Sequence, residues 1–221
     1  MAVDIGLLKI VPYFTGLSDG ELERIKKLIF EKTMEKGDTI VREGERVEVL
    51  FFVAGGVVKV FTTSAEGKEQ ILTLVRPGES FNDVPVFEGV NLASAEAMMP
   101  VTLYGLRKTD FHSVLKEYPQ LAMNAIQVFA KRVELLVALV EDLSFRQVTG
   151  RVARILYEYA RNEDETHPRL TQQEMAAMAG TAREMVGRSL RVLEEEGTIR
   201  LDRNRIVIAN EAALKKAAGV A

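Results

Sequence analysis

The stretch Leu170-Thr-Gln-Gln-Glu-Met-Ala-Ala-Met-Ala-Gly180-Thr-Ala-Arg-Glu-Met-Val-Gly-Arg-Ser-Leu190-Arg-Val-Leu-Glu-Glu-Glu-Gly-Thr-Ile199 contains two Thr-x-x-Glu spacings. Thr171 with Glu174, and Thr181 with Glu184, stand at capping-box distance, where a hydroxyl and a carboxylate satisfy the first free N–H groups of a helix. Gly180 falls between them, where a tight turn needs a backbone free to take positive φ. The spacing predicts one helix over Gln172–Ala179 and a second over Ala182–Glu195. The pair reads as a helix-turn-helix.

At 100° per residue, Arg183, Glu184, Gly187, Arg188 and Arg191 of the second helix fall within an arc of roughly 140°. Val186, Leu190 and Leu193 point the other way and can pack on the first helix. Such a polar face suits the major groove, because Arg donates in bidentate fashion to guanine O6/N7 and Glu accepts from cytosine N4. Arg183, Glu184, Arg188 and Arg191 are the candidate base-reading residues. Thr171, Gln172 and Thr181 lie at helix starts, where hydroxyl, amide and backbone N–H groups meet phosphates. Downstream, Ile199-Arg-Leu-Asp-Arg-Asn-Arg-Ile-Val-Ile reads as a hairpin turning near Asp202–Asn204. Its arginines, Arg200 and Arg203 with Arg205, can lie along a DNA backbone as a wing. Simpler roles stand beside these: Glu184 as the capping partner of Thr181, Arg188 paired with Glu184, and Arg191 paired with Glu195 on a solvated face.

Upstream, residues 119–145 read as the longest helix. Ala122, Ile126, Phe129, Val133, Leu136, Val140 and Leu143 recur at alternating spacings of four and three, an a/d seam of about three heptads. Leu121, Ala125, Val128, Leu135 and Leu139 form a second apolar stripe. A helix with two apolar faces needs two partners. The expected pair is its own β domain and a second copy of the chain, with Ile126, Phe129, Val133, Leu136, Val140 and Leu143 in the dimer interface. The alternative is a core helix within a monomer.

From about Thr33 to Leu106 the texture is β-rich. Runs such as Val49-Leu-Phe-Phe-Val, Val57-Val-Lys-Val-Phe and Gln70-Ile-Leu-Thr-Leu-Val alternate with the turn signals Lys36-Gly-Asp, Arg42-Glu-Gly, Ala54-Gly-Gly, Glu66-Gly-Lys and Arg76-Pro-Gly-Glu. That rhythm predicts an antiparallel sandwich or barrel. Ahead of it, residues 18–31 put Leu22, Ile25, Leu28 and Ile29 on one helical face, with Ser18 and Glu21 as a capping box.

Composition narrows the function. The 221 residues are 47% apolar and 28% charged, with net charge −3, which suits two small cores and is neutral about nucleic acid. Cysteine is absent, which excludes disulfide frameworks, Cys-ligated zinc and iron–sulfur clusters. Two histidines, His112 and His167, cannot build a multi-His metal site, and no metal is expected. No run reaches ~18 apolar residues. The sequence is read as that of a cytoplasmic protein with no membrane partner.

The segment 170–199 resembles the DNA-binding motif of the CRP/FNR family of bacterial transcription regulators. Phe145 followed by Val148-Thr-Gly-Arg-Val is similar to the family's hinge and the start of its C-terminal domain. Gly37-Asp, Gly55-Gly56 and Arg76-Pro-Gly-Glu resemble its effector-binding β-roll. The resemblance implies an α+β fold: an N-terminal antiparallel β-roll of the cyclic-nucleotide-binding, jelly-roll type over 1–118, a long dimerisation helix and hinge over 119–146, and a C-terminal winged helix-turn-helix over 147–221. It implies a homodimer on a TGTGA-like palindrome, with double-stranded DNA, RNA polymerase and a small-molecule effector as partners. Arg183, Glu184 and Arg188 take the family's base-reading positions. The hinge is expected at Leu143–Arg146. The loop Arg161–Arg169 is shorter than the polymerase-contacting loop of the family's cyclic-AMP-responsive members.

The family's phosphate-binding cassette corresponds here to residues 78–95. Cyclic-AMP binders carry Gly-Glu at Asn82-Asp83 and Arg-Ser at Ala93-Ser94, and that Arg neutralises the cyclic phosphate. Two hydroxyl residues that contact adenine align with Leu136 and Val137. An adenine amino group buried unpaired against them costs roughly 1–3 kcal/mol. The expectation is an effector pocket at Asn82, Asp83, Ala93, Ser94, Leu136 and Val137 that takes a ligand other than cyclic AMP, or a regulator active without one. A haem-based sensor of NO or CO stays open as the alternative, with His112 and His167 as its candidate histidines; the cofactor is otherwise undefined. A cyclic-nucleotide-binding regulatory protein without a DNA role would not need the helix-turn-helix. An enzyme would need clustered His and Glu or a nucleophile–base pair, and the chain is read as none.

Overall fold

A computed structural model of the chain describes residues 3–87, 89–160, 169–202 and 205–220. Its contacts divide it into two compact units, Met1–Thr62 with Leu72–Leu136, and Thr63–Ile71 with Val137–Ala221.

The first unit opens with α1 (Ile5–Ile10) and α2 (Asp19–Lys26). Ser18 and Glu21 form the expected capping box, with Ser18 N donating to the Glu21 carboxylate at 2.7 Å. The helix predicted to run on to Glu31 stops at Lys26. Ile29 instead opens β1 (Ile29–Met34), which pairs antiparallel with β8 (Val101–Arg107) from Ile29↔Leu106 to Met34↔Val101. Leu28, placed on the buried helical face by its spacing, is exposed. A long-range ladder outweighs the weak local preference for helix.

Between these strands run β2 (Thr39–Val41), β3 (Val49–Gly55), β4 (Val58–Thr63), β5 (Glu69–Val75), β6 (Ser80–Phe81), α3 (Asp83–Phe87) and β7 (Ser94–Ala97). They form two four-stranded sheets ordered β1-β8-β3-β6 and β2-β7-β4-β5. β3 reads as a continuous apolar run because both of its faces are covered. Phe51 and Val53 join the cluster with Val58, Ala95, Ala97 and Leu103, while Leu50 and Phe52 pack with Tyr13, Phe14, Phe111 and Leu121. The latter come from the N-terminal turn, α4 (Lys108–Glu117) and the start of α5 (Pro119–Phe145). Asn124, buried on α5, donates to the carbonyls of Tyr13 and Thr15 at 2.8 Å each and fastens that turn to the helix.

The second unit holds the last turns of α5, then α6 (Val148–Ala160), α7 (Gln172–Ala179), α8 (Arg183–Glu195), the hairpin β9 (Ile199–Asp202) and β10 (Arg205–Ile208), and α9 (Glu211–Ala217). Val152, Leu156, Met175, Val186, Leu190, Leu193, Ile199 and Leu214 share one core. The fold is the α+β type expected, a β-roll, a long helix and a winged helix-turn-helix.

The end of α5 is held by charge. Asp142 Oδ1 accepts from Arg146 Nε at 3.0 Å and from Arg154 Nη1 at 2.9 Å. Arg146 Nη1 reaches the carbonyl of Ala218 after α9, and Arg151 donates to the carbonyls of Arg146 and Ala179. Gly219 (φ 59°) leaves room for this, since a Cβ there would overlap the Arg146 guanidinium.

Candidate nucleic-acid interface and effector cassette

The helix-turn-helix is set by its caps. Thr171 Oγ1 accepts from Glu174 N at 3.1 Å, and the Glu174 carboxylate accepts from Thr171 N at 2.6 Å, so α7 begins as predicted. It ends at Gly180 in the left-handed region (φ 58°, ψ 47°). Thr181 N then donates to Ala176 O, which uses Thr181 to close α7 rather than to open α8. The N-cap of α8 is Ala182, with no side-chain bond, and the helix starts at Arg183. The capping box read from Thr181 and Glu184 is absent, and the Glu184 carboxylate is not spent on it.

α8 buries Val186, Ser189, Leu190 and Leu193 and exposes Arg183, Glu184, Arg188 and Arg191. Among the described residues none of these four enters an ion pair, neither Arg188 with Glu184 nor Arg191 with Glu195. The Arg188 guanidinium lies 3.9 Å from the Met185 sulfur. Gln172 Oε1 stands 3.8 Å from where a Gly187 Cβ would lie, so the start of α7 adjoins the reading face of α8. Arg200 and Arg205 are exposed on the wing strands. Arg203, and residues 161–168 of the polar loop, lie outside the described residues. The acidic run after the helix does structural work: Glu194 Oε1 accepts from Leu201 N at 2.8 Å and ties α8 to β9.

In the first unit, Asn82 adopts φ 66°, so the cassette keeps a left-handed turn with a non-glycine residue, while Asn82 Nδ2 donates to Val49 O at 2.9 Å. Asp83 follows it, 2% exposed. Its Oδ2 meets Arg132 Nη2 of α5 at 2.5 Å and accepts from Ser80 Oγ at 3.1 Å, while Arg132 Nη2 also donates to Ser80 O at 2.5 Å. Burial pushes the Asp83 carboxyl above its usual range, outweighing the attraction of Arg132. Burial also raises the Tyr13 phenol beside it, helped by the Asp83 charge. Asp83 Oδ1, Arg132 Nε and Tyr13 OH have no hydrogen-bond partner in good geometry among the described residues.

Sequence reading found Asp83 but missed Arg132, Tyr13 and Ser80. A lone arginine between Phe129 and Val133 on an apolar helix was the available signal. Ala93 and Ser94 are half-buried, Ser94 Oγ accepting from Glu43 N at 3.0 Å. Leu136 and Val137 are exposed. A concavity of about 500 Å³ in this unit is lined by Arg46, Val47, Glu48, Val90, Lys108 and His112, and by none of the six expected effector residues. His112 Nε2 lies 3.1 Å from Val86 O; His167 is outside the described residues.

Along α5, Ile126, Val133, Leu136, Val140 and Leu143 are 38–62% exposed. Phe129 differs: it is half-buried and packs edge-on against Phe87 at 5.5 Å within the first unit.

The family model for the cyclic nucleotide-binding domain matches residues 31–118, and that for the Crp-like helix-turn-helix domain matches residues 150–217. A cyclic AMP receptor protein of Thermus thermophilus is 31% identical over 212 residues, covering 96% of this chain and 98% of that protein. The chain belongs to the CRP/FNR family. The Thermus thermophilus catabolite activator protein structure is 32% identical with a TM-score of 0.55, covering 95% of this chain and 100% of that one. A CRP/FNR-family transcriptional regulator from Eubacterium rectale shares the fold with a TM-score of 0.80 at 20% identity, over 96% and 99% of the two chains.

As a CRP/FNR member the protein is a DNA-binding transcription regulator and not an enzyme. No helix among the described residues is long and apolar enough to cross a membrane. Arg132, partly exposed, meets the buried Asp83 carboxyl, and position 93 is an alanine.

Proposed function

We propose that the protein is a homodimeric, sequence-specific regulator that reads a TGTGA-like palindrome through Arg183, Glu184 and Arg188. The reading rests on the exposed arc of α8, where these three side chains stand together without an internal ion pair or cap to absorb them. Arg191 extends the same face. Thr171, Gln172, Thr181, Arg200 and Arg203 serve the phosphates, and the exposed seam Ile126, Val133, Leu136, Val140 and Leu143 joins two copies. Two-fold symmetry then imposes the palindrome, with recognition helices about 34 Å apart. RNA polymerase is the further partner, and the setting is cytoplasmic.

Its control does not follow the name of its Thermus relative. A cyclic phosphate needs a free cation, whereas here Ala93 replaces the arginine and Arg132 is committed to Asp83 and Ser80. Leu136 and Val137 offer adenine no hydrogen bond. The regulator answers another effector or binds DNA without one. A titration on a duplex carrying TGTGA and TCACA half-sites, with and without cyclic AMP and at two salt concentrations, tests both parts. The expected result is binding that cyclic AMP leaves unchanged, that falls steeply with salt, and that Arg183→Ala weakens. Binding switched on by cyclic AMP would overturn the assignment of control.

A further inference from the structure

Met185 is a large apolar side chain left 36% exposed on a helix whose other outward positions are mostly charged. It sits in the first turn of α8, between Arg183 and Arg188. Its sulfur lies 3.9 Å from Arg188 Nη1, the tip of a base-reading side chain. The thioether and the Arg188 guanidinium therefore lie side by side at the surface of α8. Met185 stands on the flank of the reading arc that Gly187 does not occupy. Ala182, the N-cap of this turn, makes no side-chain hydrogen bond across it.

We infer that Met185 is a specificity residue, reading the C5 methyl of a thymine adjacent to the guanine read by Arg188. This rests on the assignment of α8 as the base-reading helix. Thymine is the one base that shows a methyl group in the major groove, and apolar side chains are its natural contact. With Arg188 on the O6/N7 edge of a guanine, a sulfur 3.9 Å from its guanidinium would be within reach of the neighbouring base step. The terminal methyl and sulfur of Met can adapt to that surface because the side chain is unbranched and polarisable.

The test starts from a duplex selected by the full-length protein from a random library, so no half-site is presupposed. Each thymine is then replaced by deoxyuridine, which removes the methyl alone, and binding of the wild type and Met185→Ala is titrated. The expected result is one position per half-site, next to a guanine, where the wild type loses about four-fold, the loss of one buried methyl group. Met185→Ala shows no loss at that position yet still discriminates against guanine replacement. Equal deoxyuridine profiles for the two proteins would overturn the inference. So would a uniform loss in Met185→Ala with an unchanged profile, since Met185 would then only seat Arg188. If selection returns no preferred sequence, or a half-site without thymine, the inference falls as well; in the former case the reading of α8 falls with it.

Discussion

As the proposed base readers, Arg183 and Arg188 would owe their value to geometry more than to charge. A guanidinium presents two parallel N–H groups to guanine, which an ammonium cannot do. Arg183→Lys should therefore keep affinity for random DNA and lose about 1–3 kcal/mol of discrimination at one base pair. Competition between cognate and scrambled duplexes measures it, and a loss equal on both would show a phosphate role instead. Glu184 shows what spacing alone conveys: Thr181 and Glu184 stand at capping-box distance, yet Thr181 N is drawn to Ala176 O and the box never forms. The cassette shows the converse limit. Asp83 was legible as a position, but its partner Arg132 lies 49 residues on and only the fold brings them together. Because burial raises the Asp83 carboxyl from 3.8, the folded chain holds its proton more tightly than the unfolded chain. That contribution is present at acid pH and is lost as pH rises through the folded value. The melting-temperature advantage of wild type over Asp83→Asn should narrow as pH rises above the ordinary carboxylate value; a constant gap would show that burial does not govern this carboxyl.

The long helix was the most legible element, its seven-residue rhythm marking 119–145, the bounds observed for α5. The junction after it carries contacts that spacing does not show: around the hinge that the family resemblance implies at Leu143–Arg146, Asp142, Arg146, Arg151 and Arg154 reach α6, the end of α7 and the residue after α9. Nothing in local spacing reveals this, because the acceptors are the carbonyls of Ala179 and Ala218, far along the chain. Arg146 is the centre of the cluster and is only partly exposed. Removing it leaves Asp142 with one guanidinium fewer and takes that donor from the Ala218 carbonyl after α9. Arg146→Ala should cost about 1–2 kcal/mol, below the full value of a charged hydrogen bond because solvent reaches the site. Lys131→Ala, which removes an exposed pair with Glu134, should change stability by less than about 0.5 kcal/mol. Denaturant unfolding compares the two, and hydrogen exchange at 143–148 should rise in the first variant alone. Equal, small effects would mean that this cluster does not hold the junction.

Two units and one helix shared between them give the chain a way to couple sensing to DNA reading, provided two copies act together. The α5 seam carries that requirement. A strip of Ile126, Val133, Leu136 and Val140 between 48 and 62% exposed is poorly placed in water, and a second copy of the same strip would cover it. A single palindrome then receives two α8 helices, and the second half-site event becomes intramolecular. Such linkage raises affinity by about 10²–10⁴-fold over a lone half-site without any new contact to DNA. Val133→Asp with Val140→Asp places like charges on both sides of the seam, one heptad apart, where each would face its own symmetry mate or a close neighbour. The variant should sediment as a monomer and keep its thermal transition, since neither side chain contributes to a core. Its affinity for the palindrome should fall to its affinity for a single half-site, while wild type keeps the gap between the two duplexes. If the variant remains dimeric, the seam lies on another surface. If it is monomeric yet binds palindrome and half-site as differently as wild type does, the two helices cooperate through DNA rather than through α5.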